Sequence, residues 1–299
     1  MRNLAARSPR WRPHWPPLGH LKWGFLAALV IGLAAIGGIV SWGTTQPSQA
    51  ATPGGTELVW YGQSAFKLTT PSGKVLWLDP WLQNPANPEG KAILNQLDRA
   101  DLVLVTHGHN DHVGDAVAIG QKTGAQLVAT FDLANALVSV LGYPKEQLQF
   151  PALGNFGGQI SLLDGEVEVA FVPAVHSSTV STDGSPQTFY AGNPGGFWIK
   201  VKNGPTLYHT GDTDLFGDMA LIPKFGPVDL MLTCIGGKFT MGPDRAAEAV
   251  ELVRPKLVIP MHYGLFSLPG TPEQFAAALT ARRITTPMKV MKIGVPEQI

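Results

Sequence analysis

Beyond Glu57 the chain holds six histidines, and three of them fall in one run, T-H-G-H-N-D-H, at residues 106–112. His107, His109, Asp111 and His112 thus crowd into a single loop-sized segment. Neutral imidazole nitrogens bind borderline metals such as zinc at about 2.0–2.1 Å, and carboxylates complete such sites. Four donors this close cannot easily converge on one tetrahedral ion. Dividing them between two ions is the better geometry, with His107 and His109 on one and Asp111 and His112 on the other. The chemistry open to such a set is metal-assisted hydrolysis, in which paired ions roughly 3.5–4 Å apart bring the pKa of water towards about 7 and polarise the substrate oxygen. Asp111 is the carboxylate placed to orient that water and accept its proton.

More donors follow at comparable places. His176 comes after the apolar run EVEVAFVPAV, Asp212 after TLYHTG and His262 after KLVIPM. An isolated histidine is ordinarily a core or surface residue, and Asp212 alone would read as a helix cap. The shared position, at the carboxyl end of an apolar strand where open sheets build their sites, is what argues for ligation. His209, three residues before Asp212, reads as a catalytic helper beside the ligands, fixing a carboxylate or donating to an oxyanion. Trp81, Phe239 and Phe266 follow the same strands or loops and are the candidates for pocket walls. Lys238, in the loop Gly236-Gly237-Lys238, is either a solvated surface lysine or a partner for an anionic substrate.

The elements that must carry these residues alternate in type. Three strands are expected at residues 57–62, 64–70 and 74–80, with Pro71-Ser72-Gly73 as the turn between the last two. A helix over 91–100, a buried strand over 101–107, a helix over 113–122, a strand over 126–129 and a helix over 133–141 follow from the hydrophobic periodicity. The middle of the chain, 147–201, is strand-rich again, from LQF through GFWIKV. Then come a strand ending at Asp212, a helix near Leu215, the strand DLMLTCIGG, a helix over 243–253, the strand KLVIPMH, a helix from Pro272 and a last strand MKVMKIG. Pro243 and Pro272 sit where a first helical turn tolerates proline. A β-rich run with helices therefore occurs twice, which points to an α+β protein with two sheets face to face and helices outside, a four-layer αββα sandwich. The single cysteine, Cys234, falls in an apolar strand and is expected to be buried.

Residues 1–56 read differently from the body, 57–299. Before Glu57 there are five basic residues and no acidic one, so the body carries 17 basic residues (22 less 5) against 22 acidic. A mildly acidic body with no basic cluster argues against nucleic acid as a partner and for a small-molecule substrate. Residues 24–42 are uncharged and follow the basic lead, the pattern of an export signal. Ser48-x-Ala50 offers a cleavage site, whereas an apolar run of this length also suits an uncleaved membrane anchor. Either way the positive-inside rule places the body outside the cytoplasm, exported or tethered.

The body resembles the metallo-β-lactamase superfamily and, more narrowly, the UPF0173 group of metal-dependent hydrolases. The likeness rests on YGQSAFKL, WLDPWL, THGHNDHVGD, YHTGDTDLF, GGKFTMGPDRAAEAVELVRP and VIPMHYG. It implies that His107, His109 and His176 hold one ion, that Asp111, His112 and His262 hold a second, and that Asp212 bridges them. Zinc is the default, with manganese or iron compatible with the same ligands. Relatives with diiron oxygen chemistry place a glutamate where this chain has His109, which favours hydrolysis of an ester, lactone or phosphodiester. A β-lactamase proper would not usually carry WLDPWL or GGKFTMGP, and a non-catalytic binding module would be expected to have lost ligands. Two positions depart from the group: Gln63 stands where histidine is usual, and Lys238 where asparagine is common.

Overall fold

A computed structural model describes residues 55–182 and 184–299. The expected signal or anchor over residues 1–56 lies, but for its last two residues, outside the described residues. The first half of the body runs β1 (Glu57–Trp60), β2 (Phe66–Thr69), β3 (Val75–Leu78), α1 (Gly90–Gln96), β4 (Leu102–Leu104), α2 (Asn110–Val113), α3 (Ala116–Thr123), β5 (Gln126–Thr130), α4 (Phe131–Leu141) and β6 (Leu153–Gly154). The second half starts as a meander. It comprises β7 (Gln159–Leu162), β8 (Val167–Pro173), a small hairpin of β9 (Thr179–Val180) and β10 (Phe189–Tyr190), β11 (Gly195–Val201), β12 (Thr206–His209), β13 (Leu230–Cys234), α5 (Pro243–Val253), β14 (Leu257–Met261), α6 (Pro272–Ala281) and β15 (Pro296–Gln298).

Side-chain alternation along the strands builds the layers. Leu58, Leu76, Leu78, Leu102 and Leu104 face a core shared with Val169, Phe171, Phe197 and Ile199 of the opposite sheet. Their neighbours Val59, Trp77, Val103 and Val105 face the other way, onto Ile119 of α3 and Leu133 and Leu137 of α4. The second sheet is covered in turn by Ala246, Val250 and Val253 of α5 and Phe275 and Leu279 of α6. This is the αββα layering expected. The helices are not segregated from the strands, however, because each sheet is mixed. One has the order β15-β1-β2-β3-β4-β5-β6, parallel from β3 onward, and the other the order β14-β13-β12-β11-β8-β7, parallel among β12, β13 and β14.

Four local expectations are corrected. The single helix over 113–122 is two, α2 and α3, broken at Gly114. A Cβ there would lie 2.5 Å from Trp81 Cα, and the residue's φ of 40° and ψ of −115° are not helical. The LQF strand is replaced by 3₁₀ turns at Lys145–Gln147 and Phe150–Ala152, beside Pro144 and Pro151, which lack an N–H for a ladder. The helix near Leu215 is a 3₁₀ segment, Gly217–Lys224, with Pro223 inside it. MKVMKIG makes only a single bridge, Val258 to Met288, on the outside of β14. The chain then turns at Gly294, whose N–H donates to Trp60 O, and the true last strand β15 pairs with β1. Pro243 and Pro272 do open α5 and α6, and Cys234 is buried.

The two sheets are stitched together at one end, where β4, β8, β12 and β14 finish. Gly195 N donates to Thr106 O at 3.2 Å and His262 N to Gln63 O at 3.1 Å. Gly211 sits in this seam at φ 60°, where a Cβ would lie 2.4 Å from Gly195 O and 3.1 Å from Thr106 Cβ. Gly211→Ala is therefore expected to lower the unfolding free energy in urea by about 1–3 kcal/mol, the usual cost of overpacking.

Candidate metal centre

Six of the seven expected ligands leave the ends of β4, β12 and β14 within eight residues, His176 follows β8, and the structure brings all seven together. His107 is fully buried, and its Nε2 lies 3.0 Å from His109 Nδ1, which is 3.2 Å from His176 Nε2. These three nitrogens form one compact donor group. Asp111, His112, Asp212 and His262 form a second. There His262 Nε2 is 2.9 Å from Asp212 Oδ2 and 3.3 Å from Asp111 Oδ2, while His112 Nε2 is 3.2 Å from Asp212 Oδ1. Asp212 lies between the groups, since the same Oδ2 is 3.8 Å from His176 Nε2.

The tautomers are set from behind. Asp79, fully buried, accepts from Thr106 N at 2.8 Å and from Thr106 Oγ1 at 2.7 Å. Having donated to Asp79, the Thr106 hydroxyl accepts from His107 Nδ1 at 3.0 Å, which leaves a lone pair on His107 Nε2 facing the centre. Asp79 Oδ2 also takes the Nδ1–H of His112 at 2.7 Å, which turns His112 Nε2 the same way. Such carboxylate–imidazole pairs orient metal-binding histidines and raise their basicity. The loop between the ligands is pinned as well: Gly108 N donates to Ser178 Oγ at 3.1 Å, and a Cβ on Gly108 would lie 2.8 Å from Thr179 O.

Charge divides the two groups. Burial, reinforced by the charge of His112, holds His107 and His109 below the usual histidine range, and burial also lowers His176 against the pull of Asp212. All three offer neutral nitrogens. In the second group burial opposes protonation of His262, but Asp212 and Asp111 overcome it and raise its pKa to about 9. His112 is raised likewise, with Asp212 and Asp79 outweighing burial. Burial also disfavours the charged carboxylates, yet the adjacent histidines hold Asp111 down to about 2 and Asp212 well below the usual range.

These residues fit a metal on their own evidence. His112 Nε2 and Asp212 Oδ1 are both buried and neither makes a hydrogen bond, although they lie 3.2 Å apart. Buried polar atoms are rarely left so. An ion between them, displacing the His112 proton, would be bound by both atoms, and a donor set of imidazoles and carboxylates suits borderline divalent metals.

His209 is placed differently from its expected role. Its Nε2 donates to Ser64 O at 3.1 Å, and its Nδ1 accepts from Gly211 N at 3.1 Å. Burial keeps the ring neutral, so it has one N–H and one lone pair, and both are taken. It has nothing left to donate to an oxyanion; it holds the turn that delivers Asp212. Thr213 and Asp214 tie that turn to the His176 loop, through Val175 N to Thr213 Oγ1 and Asp214 N to Val175 O, each 3.0 Å. Phe239 and Phe266 line the cavity over the centre and Trp81 stacks behind Phe266, whereas Lys238 is exposed and outside the lining. Asp79 is the functional residue the sequence reading passed over. Its signals are an acidic residue closing the apolar strand KVLWLD and a place in the WLDPWL block.

Known proteins are similar to this chain. A family profile described as a β-lactamase superfamily domain matches residues 57–262. A UPF0173 metal-dependent hydrolase of Thermodesulfovibrio yellowstonii is 56% identical over 246 residues, spanning 82% of this chain and 92% of that one. Another from Anaeromyxobacter sp. (strain K) is 51% identical over 255 residues, spanning 85% and 89%. Among solved structures, Igni18, a metallo hydrolase from Ignicoccus hospitalis, superposes with a TM-score of 0.68 at 30% identity, covering 82% of this chain and all of that one.

Two outcomes follow from the buried network. Asp79→Asn keeps the shape but loses the acceptor for His112, and is expected to weaken divalent-metal affinity by about 10–100-fold, read by calorimetric titration with unchanged far-UV circular dichroism. The raised pKa of His262 means that metal-free folded protein holds a proton which the unfolded chain gives up near 6.5. Stability from this source is complete below about 6.5 and is lost as pH rises through about 9. The melting temperature of metal-free protein should fall across that window, and His262→Gln should flatten the slope.

Proposed function

The chain belongs to the β-lactamase superfamily, in its UPF0173 group of metal-dependent hydrolases, and on that premise we propose that it cleaves an ester, lactone or phosphodiester bond with a water activated at two divalent ions. The observation that carries the reading is the meeting of two donor groups at one carboxylate, that of Asp212. His107, His109 and His176 would hold one ion, and Asp111, His112 and His262 the other, with Asp212 shared. Bound there, zinc, or manganese or iron on the same donors, would supply Lewis acidity and bring the pKa of water towards about 7.

The chain's own part is placement and proton handling. Asp111 lines the cavity and its side chain is 19% exposed, against 4% for Asp212. It is therefore the carboxylate that an entering water meets, positioned to orient that water and to be the local proton acceptor. Asp212 is enclosed by His112 and His262 and serves to hold charge. The neutral first group and the protonated second group also differ in what metal uptake costs, because only His112 and His262 must release protons to bind.

We place the working body outside the cytoplasm on the strength of the basic lead and the uncharged run at residues 24–42.

Elemental analysis of native protein should give close to two divalent ions per chain, and the double variant His107→Ala/Asp212→Ala close to none. A carefully prepared native sample free of metal would refute the proposal. Metal-loaded protein tested on carboxylic esters, lactones, phosphodiesters and β-lactams should turn over at least one of the first three, at a rate that falls to background in the double variant. Turnover confined to β-lactams would reassign the activity.

A further inference from the structure

We propose that Phe239 and Phe266, backed by Trp81, form an aromatic rim that seats an aryl or alkyl group beside the scissile bond, so that the substrate is an uncharged carboxylic ester or lactone bearing such a group; this rests on the hydrolase reading above. The cavity over the centre holds about 380 Å³. Its floor is the ligand set, and its walls are Phe239, Phe266 and Ser177. Among the described residues that line it there is no lysine or arginine, the side chains that ordinarily grip a phosphodiester. Apolar walls above a few convergent polar groups are the usual make-up of a small-molecule site.

Two features set these rings apart from ordinary surface side chains. Phe239 and Phe266 are 54% and 49% exposed, so the core does not account for them. Yet Phe266, Ser267 and Lys238 all have left-handed backbones, with φ of 54°, 54° and 57°. That conformation is unfavourable for bulky side chains and persists where surrounding structure enforces it, often at ligand sites.

The enforcing contacts lead back to the metal ligands. Phe266 stacks on Trp81 with ring centroids 5.8 Å apart and planes within 5°. Trp81 N donates to Asp79 O at 2.8 Å, Trp81 O accepts from Asn84 Nδ2 at 2.7 Å, and Gly114 packs against the Trp81 backbone. The residue that orients His112 thus also supports the rim. Phe239 leaves β13 in a tight loop closed by Gly237 N to Met241 O at 3.0 Å, and Met241 N donates to Thr213 O, beside Asp212, at 2.9 Å. The Lys238 ammonium lies 4.7 Å from the Phe239 ring centroid, a cation–π contact that further fixes the ring. Both rings are therefore rigidly registered to the floor.

The test uses the full chain loaded with zinc and three chromogenic substrates: 4-nitrophenyl acetate, 4-nitrophenyl hexanoate and bis(4-nitrophenyl) phosphate. Wild type should prefer the hexanoate to the acetate by roughly tenfold or more in kcat/KM, a discrimination apolar pockets achieve, and should turn over the phosphate diester most slowly. Phe239→Ala and Phe266→Ala should each bring the hexanoate-to-acetate ratio towards one. Separately from turnover, 4-phenylbutyrate should quench tryptophan fluorescence on binding wild type, and should bind both variants more weakly at unchanged metal content and circular dichroism. A wild-type ratio near one, a ratio that survives both substitutions, or faster hydrolysis of the phosphate diester overturns the proposal. A concentration-dependent dimer abolished by the same substitutions, with no ligand preference, also overturns it. Phenylbutyrate binding that depends on both rings, with no ester turned over, would uphold the rim while overturning the ester-hydrolase reading.

Discussion

The carboxylate of Asp212 sets the terms for the rest of the structure. It is ionised and almost wholly buried, and burying an unpaired carboxylate costs far more than a small domain can absorb. Everything around it serves to make that charge tolerable. His262 and His112 stand against its two oxygens, and the seam between the sheets brings the His107, His109 and His176 group to its other side. Without ions the protein meets the demand with protons on His112 and His262, as their raised pKa values record. The same arrangement leaves His112 Nε2 and Asp212 Oδ1 without hydrogen bonds. A divalent cation answers both needs at once, supplying positive charge where protons are only substitutes and binding the His112 nitrogen once its proton has left.

Holding such a cluster takes a rigid frame, and the fold supplies one by ending strands of both sheets at the same place. The donors stand on short loops whose backbones are tied to the neighbouring sheet, through Gly195 to Thr106 and His262 to Gln63. Asp79 and His209 act on this frame at different points. Asp79 aims His112 directly and His107 through Thr106, while His209 braces the turn before Asp212. Trp81 extends the Asp79 segment outward to the mouth, so the geometry of the ligands and the geometry of the opening are set by one stretch of chain.

Much of this was legible in the sequence, because its signals are local. Three histidines and an aspartate in six residues, and later donors each following an apolar run, pointed to the seven residues that the structure brings together. Alternation in ELVW, KVLWL and DLVLV likewise revealed the two-faced strands. What escaped depends on contacts far apart in the chain. Asp79 looks like any acidic residue at a strand end until Thr106 and His112, some thirty positions on, arrive beside it. His209 has the residue type and spacing of a catalytic group, and only the nearness of Ser64 O reveals that its nitrogens are spent. The break between α2 and α3 depends on Trp81 pressing against Gly114, and the last strand on β1 offering a free edge to residues 296–298. Periodicity reports which face of an element is apolar; it does not report which partner takes that face.

Asp212 is proposed to sit between two ions, and crystals grown with zinc put this to the test by anomalous diffraction. Two anomalous peaks are expected in each chain, one within ligand distance of His107, His109 and His176, the other within ligand distance of Asp111, His112 and His262, with Asp212 reaching both. A single peak, or a second peak away from Asp212, would contradict it.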